Sequence, residues 1–354
     1  MTIAGPVHCG DKEIPAKGRE VTLRQLSERL GVSASTISRV LNGYEEGFSV
    51  KPEVRERILR AVLESGYRPN PFVRSLRSKR TMMVAWLDYK QGARGDSGVD
   101  EDALRSIVGA LAAEGYAVSC NFLSEEEPDQ YFPQWPVDGI AIADVVDPDR
   151  MTRITAAGIP YVVVNGLAGP GGNSVMVDEA QCSRLLFDYL HGQGHTRIAY
   201  FNKHTSGRTL RHYSVGERHA AYLEFMQDIG VMPLPGHDRN DMTASEFIRT
   251  VVSKGGATAV VAYDHLHVLN LMRTAYEMGV RVPSQVSVAC FNDLFPLEYL
   301  SPPVTCVATP GAELGRVAAV LLLEQMKDHA TKAGRTVRVP GTLTIRDSVV
   351  TATI

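Results

Sequence analysis

No apolar stretch in this chain is long enough to cross a bilayer. The longest uninterrupted run, Val317 to Leu323, has seven residues, against about 20 for a spanning helix. The N-terminus, MTIAGPVHCGDKEIPAKGRE, has no apolar core of signal-peptide length, so the expected location is the cytoplasm and no membrane partner is expected. Cysteine is scarce and scattered: five residues, Cys9, Cys120, Cys182, Cys290 and Cys306, with no CxxC pair. That excludes a disulfide framework or a zinc ribbon and fits a reducing compartment. GxSxG, GxxxxGK[ST] and HExxH are all absent. GPGG at 169–172 follows an apolar run but lacks the GxGxxG spacing of a dinucleotide site. The expectation is a protein that is not an enzyme and has no cofactor. His265 and His267, two apart beside Asp264, lack further ligand-type neighbours and read as helix-surface residues rather than metal ligands.

What is present is ordinary soluble composition with an uneven charge. The 354 residues are 44% hydrophobic and 22% charged, which excludes a wholly disordered chain and suggests two or three domains. The net charge of -3 hides a split: residues 1–80 hold 15 Lys+Arg against 9 Asp+Glu, giving +6, and the remainder is at -9. A basic head on an acidic body suits a protein in which only the head meets a polyanion, although an uneven spread of solvated charge has the same signature.

Residues 1–20 are polar and aperiodic and read as a mobile tail. Residues 21–67 carry helical periodicity in three segments. Thr22 and Ser33 are suited to N-caps, Gly31 to a left-handed position after the first helix, and Pro52 to a first turn. Leu23, Leu26 and Leu30, then Ile37, Val40 and Leu41, then Val54, Ile58, Ala61 and Val62 supply the inward faces. Residues 68–80, RPNPFVRSLRSKR, form a basic linker whose Phe72, Val73 and Leu76 keep helical spacing. From 81 to 354 short apolar runs alternate with amphipathic helices, which implies parallel sheets covered on both faces. The strands outnumber one ordinary sheet, so the expected fold is an all-α head plus a two-lobed α/β core of two doubly wound parallel sheets with a cleft at the strands' carboxyl ends. Lobe 1 is expected at about 81–177 and 309–333, and lobe 2 at about 178–291 and 335–354.

The blocks TLRQLSERLGVSASTISRVLNG, GYRPNPFVRSLRS, GHTRIAYF, VRVPSQVSVACFND, LSPPVTCV and GTLTIRDS occur in one order and register between Val21 and Ile345. In them the chain resembles the LacI (lac repressor) family of bacterial transcription regulators. The resemblance implies a periplasmic-binding-protein-like core, a helix-turn-helix head at 21–67 and a homodimer on a palindromic double-stranded operator, acting most simply as a repressor. It assigns base reading to Ala34, Ser35 and Arg39, phosphate contacts to Thr22, Thr36, Ser38 and Asn42, and a minor-groove wedge to Leu76. The chemistry agrees. An arginine can donate two bonds to guanine, worth about 1–3 kcal/mol of discrimination, and a leucine wedge kinks the duplex by unstacking a base step. YEEGFSVKP, between the second and third helices, is longer than the family pattern, which leaves Lys51 as a candidate phosphate contact.

The same resemblance places effector contacts at Asp88, Asn165, Arg218, Tyr263 and Asn292. Tyr89, Phe122 and Phe295 are further candidates for the cleft or the core, and Asp264 reads as a helix N-cap. Asn165 and Asn292 stand where sugar-binding relatives often carry aspartate, and Asp293 follows directly. The effector is expected to be a neutral sugar, with an acidic or phosphorylated one also open, for which Arg218 would be the counter-ion. SEEEPDQYFPQWPVDG at 124–139 is too short for the family's helix there. The alternatives are a sugar-binding, transport-type protein, which should carry an export signal and no head, and a regulator independent of any effector.

Overall fold

The computed structural model describes residues 21–41, 48–67, 80–88, 98–122, 135–144, 148–203, 212–327 and 334–352. The chain divides into two compact units between Lys79 and Arg80. The expected tail, Asn42, most of the basic linker with Leu76, Tyr89, and residues 124–134 of the shortened segment lie outside the described residues.

In the first unit the local signals act as written. The Thr22 hydroxyl accepts the Gln25 N–H and the Gln25 side chain returns to the Thr22 backbone, a reciprocal capping box that starts α1, Leu23–Leu30. Gly31 ends it at φ 60, a left-handed position costly for a residue with a Cβ. The Ser33 hydroxyl accepts the Thr36 N–H at 3.1 Å and opens α2, Ala34–Leu41. Pro52 opens α3, Pro52–Ser65. Leu26, Ile37, Val40, Ile58 and Ala61 form the core, with Leu23, Leu30, Leu41, Val54 and Val62 packed around it. Full burial of such side chains is worth about 1.5–3 kcal/mol each, which holds together three helices too short to persist alone.

The second unit has two sheets. Lobe 1 holds β1 Met83–Asp88, α4 Gly98–Ala113, β2 Ala117–Phe122, β3 Gly139–Ala143, α5 Pro148–Ala156, β4 Tyr161–Val164 and β5 Asn173–Val177. Lobe 2 holds α6 Glu179–Gly192, β6 Ile198–Phe201, α7 Tyr213–Asp228, α8 Ala244–Phe247 running into a π-helical turn to Lys254, β7 Ala259–Ala262, α9 His265–Glu277, β8 Ser287–Phe291 and β9 Thr305–Ala308. Then α10 Gly311–Lys327 and β10 Thr336–Val339 return to lobe 1, and β11 Thr342–Thr344 closes lobe 2. The sheet orders are β10-β5-β4-β3-β1-β2 and β11-β9-β8-β7-β6. Strands such as β3, β5 and β8 are buried along their whole length, as strands with helices on both faces must be.

Two expectations change. The lobe boundary near 334 is too early: β10 pairs parallel with β5, Thr336 opposite Ser174, so lobe 1 keeps its second segment through Val339, and lobe 2 runs on from 291 through β9. Nor are the sheets wholly parallel, since β11 runs antiparallel to β9. A strand that returns by the short link Pro340–Gly341 from the other sheet has no crossover helix to set it parallel.

Candidate DNA-reading helix and effector cleft

Burial of Ile37 and Val40 fixes the roll of α2. That roll leaves Ser35 and Arg39 exposed, and Ala34, Thr36 and Ser38 half-buried. Ser33, Ser35 and Thr36 share hydroxyl contacts of 2.8 Å at the start of the helix. The Arg39 guanidinium lies over the Phe48 ring, 5.1 Å from its centroid, a cation–π contact that sequence reasoning missed because Phe48 sits beyond the helix in the lengthened loop. Lys51 precedes α3 as its N-cap residue and makes no side-chain cap bond.

In the body, three cleft residues take positive φ just past strand ends: Asp144 (φ 60) after β3, Asn165 (φ 57) after β4 and Asn292 (φ 67) after β8. Short Asx side chains tolerate this conformation, and such outliers concentrate at functional sites. From lobe 2 the start of α7 reaches across. The Tyr213 hydroxyl donates to Asn165 Oδ1 at 2.9 Å and accepts the Val177 N–H at 2.8 Å. His212 Nε2 lies 2.9 Å from the Asn165 carbonyl and 3.1 Å from Asp144 Oδ1. The His212 Nδ1 accepts the Ser214 N–H and so caps α7. Burial pulls the His212 pKa down, but the Asp144 hydrogen bond and charge and the Asn165 carbonyl outweigh it, leaving it above the ordinary histidine value.

Arg218, one turn further along α7, is the hub of lobe 2. Its Nε and Nη2 donate to the two oxygens of Glu179 at 2.6 and 2.8 Å, Nη1 to the Tyr263 carbonyl at 2.8 Å and Nη2 also to Asn292 Oδ1 at 3.2 Å. The plane rests on Phe291, 4.4 Å from its centroid, and 5.0 Å from that of Tyr263. Burial opposes the charge, and Glu179 more than offsets it, so the guanidinium pKa rises. Thr309, at the start of the second crossing between lobes, donates to Asn292 Oδ1 at 2.7 Å. The Tyr263 hydroxyl meets Ser214 Oγ at 2.6 Å.

The structure thus joins Asn165, Arg218, Tyr263 and Asn292 in one bonded cluster with His212, Tyr213, Ser214, Asp144, Glu179 and Thr309, which sequence reasoning missed. Asp144 had a usable signal, an acidic residue directly after a strand; Glu179 had none, because its partner lies 39 positions away. Asp88 ends β1 half-buried. One face of the Tyr263 ring is turned to Arg218. Asp264 is the N-cap of α9, accepting the His267 N–H at 2.8 Å. Burial works against its charge, yet the His267 hydrogen bond prevails and its pKa falls to about 2. His265 and His267 are not on the helix surface: His265 is buried, and the His267 ring binds Asp264 and the Lys203 carbonyl. Among the described residues no cluster could hold a metal ion. Asp293 pairs with Arg346 through two bonds of 2.8 Å and is structural. Phe122 and Phe295 are exposed, not core.

Residues 22–70 match the family profile for bacterial regulatory proteins, lacI family, and residues 187–349 that of a periplasmic binding protein-like domain, together more than half of the chain. The chain belongs to the lacI family of bacterial regulatory proteins. It is 29% identical over 349 residues to the HTH-type transcriptional regulator CelR of Thermobifida fusca, covering 90% of this chain and 96% of that protein. In fold it matches the lac repressor dimer bound to operator and the anti-inducer ONPF, with a TM-score of 0.71 and 21% identity over 94% of this chain and 100% of that one. It also matches the CelR–cellobiose complex, with a TM-score of 0.62 and 24% identity over 93% and 100%. This LacI-family chain is a DNA-binding transcriptional regulator, with a helix-turn-helix head and a periplasmic-binding-protein-like body. No helix among its described residues is long and apolar enough to cross a membrane.

Proposed function

We propose that this LacI-family regulator binds a near-palindromic operator as a homodimer, and that a small polar effector, a sugar or sugar derivative, held between the lobes sets its affinity for DNA. It does so in the cytoplasm and without catalysis. The supporting observation is the bridge from His212 and Tyr213 to Asp144 and Asn165. A ligand entering at those strand ends exchanges hydrogen bonds that join the lobes, so occupancy and lobe angle are linked. In the head, Ala34, Ser35 and Arg39 read bases, Thr22, Thr36, Ser38 and Asn42 hold phosphates, and Leu76 wedges the minor groove. The family member CelR is described in complex with cellobiose, and the lac repressor dimer with operator; both support this reading. A coupling of about 1–3 kcal/mol changes operator affinity about 5- to 150-fold.

The test is a gel-shift titration on palindromes found beside the protein's own gene, with and without cellobiose, ribose and glucose. The expected result is a sequence-specific complex whose affinity moves with whichever sugar also raises the melting temperature. A complex that forms equally on every duplex, or one indifferent to every ligand that stabilises the body, refutes the proposal.

A further inference from the structure

An arginine buried in a ligand cleft invites an acidic ligand, because its planar fork matches a carboxylate or phosphate through two parallel bonds. Here that edge is already filled. Glu179 is fully buried at the first position of α6 and takes both Nε and Nη2 of Arg218, at 2.6 and 2.8 Å. The Tyr263 carbonyl and Asn292 Oδ1 take two of the remaining N–H directions, so four of the roughly five a guanidinium offers are committed. An acid that reached Arg218 would find the two-pronged edge of its fork already held by a carboxylate.

Strand β6 of the same lobe carries polar atoms of a different kind. The Tyr200 hydroxyl, on fully buried β6, and Asn202 Oδ1, two positions on, have no hydrogen-bond partner among the described residues. Tyr200 packs in the same buried core cluster as Tyr263 and Phe291, the two rings that face Arg218. Both atoms can accept from a hydroxyl, and neither can neutralise an anion.

We propose that Glu179 is a specificity-determining residue. By occupying the fork of Arg218 it refuses acidic and phosphorylated effectors and restricts the cleft to neutral, hydroxyl-bearing ones. This rests on the cleft being the effector site. It replaces the view of Arg218 as a counter-ion with one of Arg218 as a neutralised scaffold that fixes Asn292 and Tyr263.

The test separates Glu179 from the identity of the effector. Glu179→Ala leaves room for a small carboxylate against Arg218, so formate is the probe. Formate should raise the melting temperature of Glu179→Ala, but not that of the wild type or of Glu179→Ala with Arg218→Met. A Glu179→Ala protein that folds only with formate present is the same result. In parallel, Glu179→Gln should bind gluconate about tenfold or more tightly than the wild type does. Two results overturn the inference: no formate effect specific to Glu179→Ala, or wild-type protein that binds gluconate or glucose 6-phosphate as tightly as glucose or cellobiose. Operator binding that answers to no ligand would instead defeat the effector reading and leave the formate result standing.

Discussion

The head and the cleft use polar side chains in opposite ways. In α2 the proposed readers Ser35 and Arg39 are exposed on one side of a helix whose other side is core. In the body, Asn165, Arg218, Tyr263 and Asn292 come from segments far apart, and their polar atoms largely satisfy one another. The head acts through what it leaves outside, so its selectivity lies in new bonds made to DNA. The cleft acts through what it has already bonded, so its selectivity lies in which bonds a ligand can replace.

The sharpest way to break that comparison is to remove one charge from each region. Arg218→Met leaves the fully buried Glu179 without its partner, and an orphaned buried charge costs about 3–5 kcal/mol. The unfolding midpoint of the body should fall accordingly, and adding Glu179→Gln should restore much of it. In the head, the Arg24–Glu28 pair has side chains 89% and 67% exposed, and Glu28→Gln should change stability by at most about 1 kcal/mol. Denaturant titrations that gave equal losses in the two regions would mean that the Arg218 cluster is open to water and not a closed network.

Next in size is the head's reading of bases. Arg39→Ala should cost about 1–3 kcal/mol per half-site and relax selectivity at the base pair it contacts, leaving nonspecific binding nearly unchanged. Thr22→Ala should cost about 1 kcal/mol of helix stability through the lost cap and, if the proposed phosphate role holds, weaken binding equally on all sequences. Binding measured on single-base variants of the operator distinguishes the two patterns. A uniform loss for Arg39→Ala would move base reading elsewhere on α2.

The two regions also differ in how much the sequence disclosed. The head was legible down to its caps, because a capping hydroxyl, a left-handed glycine and an apolar stripe are all set within a few residues of one another. The parallel strands of the body were legible as apolar runs. What escaped were contacts made by assembly. β10 could not be placed in lobe 1, because its pairing with β5 depends on a chain that crosses between lobes three times. Glu179 stands in the first turn of α6, where an acid suits the positive end of a helix, and nothing near it in sequence announces Arg218. Nor did the histidines beside Asp264 show that a packed strand end, rather than solvent, surrounds them. Local grammar revealed the surfaces that work alone, and long-range packing decided the groups that work as a cluster.

The smallest expected effect lies at the seam where the lobes meet, and it carries a sign. Burial opposes protonation of His212, but Asp144 and the Asn165 carbonyl, with Glu179 further off, hold its pKa above the ordinary value, while Ser214 and Tyr213 are its other polar neighbours. A histidine raised in this way contributes stability that is complete below its unfolded value of about 6.5 and is lost as pH climbs through the folded value. The bridge between lobes is therefore strongest in mild acid and weakens toward alkaline pH. His212→Gln removes the titration and keeps a polar side chain at the start of α7. The melting-temperature advantage of the wild type over His212→Gln should be level between about pH 5.5 and 6.5 and shrink as the pH rises from there toward about 8.5. The same pH rise should leave the head's own unfolding unchanged, because neither α1, α2 nor α3 contains a histidine. An advantage constant across that range would mean that Asp144 and Asn165 hold a neutral ring, and that the lobes are joined there by hydrogen bonds alone.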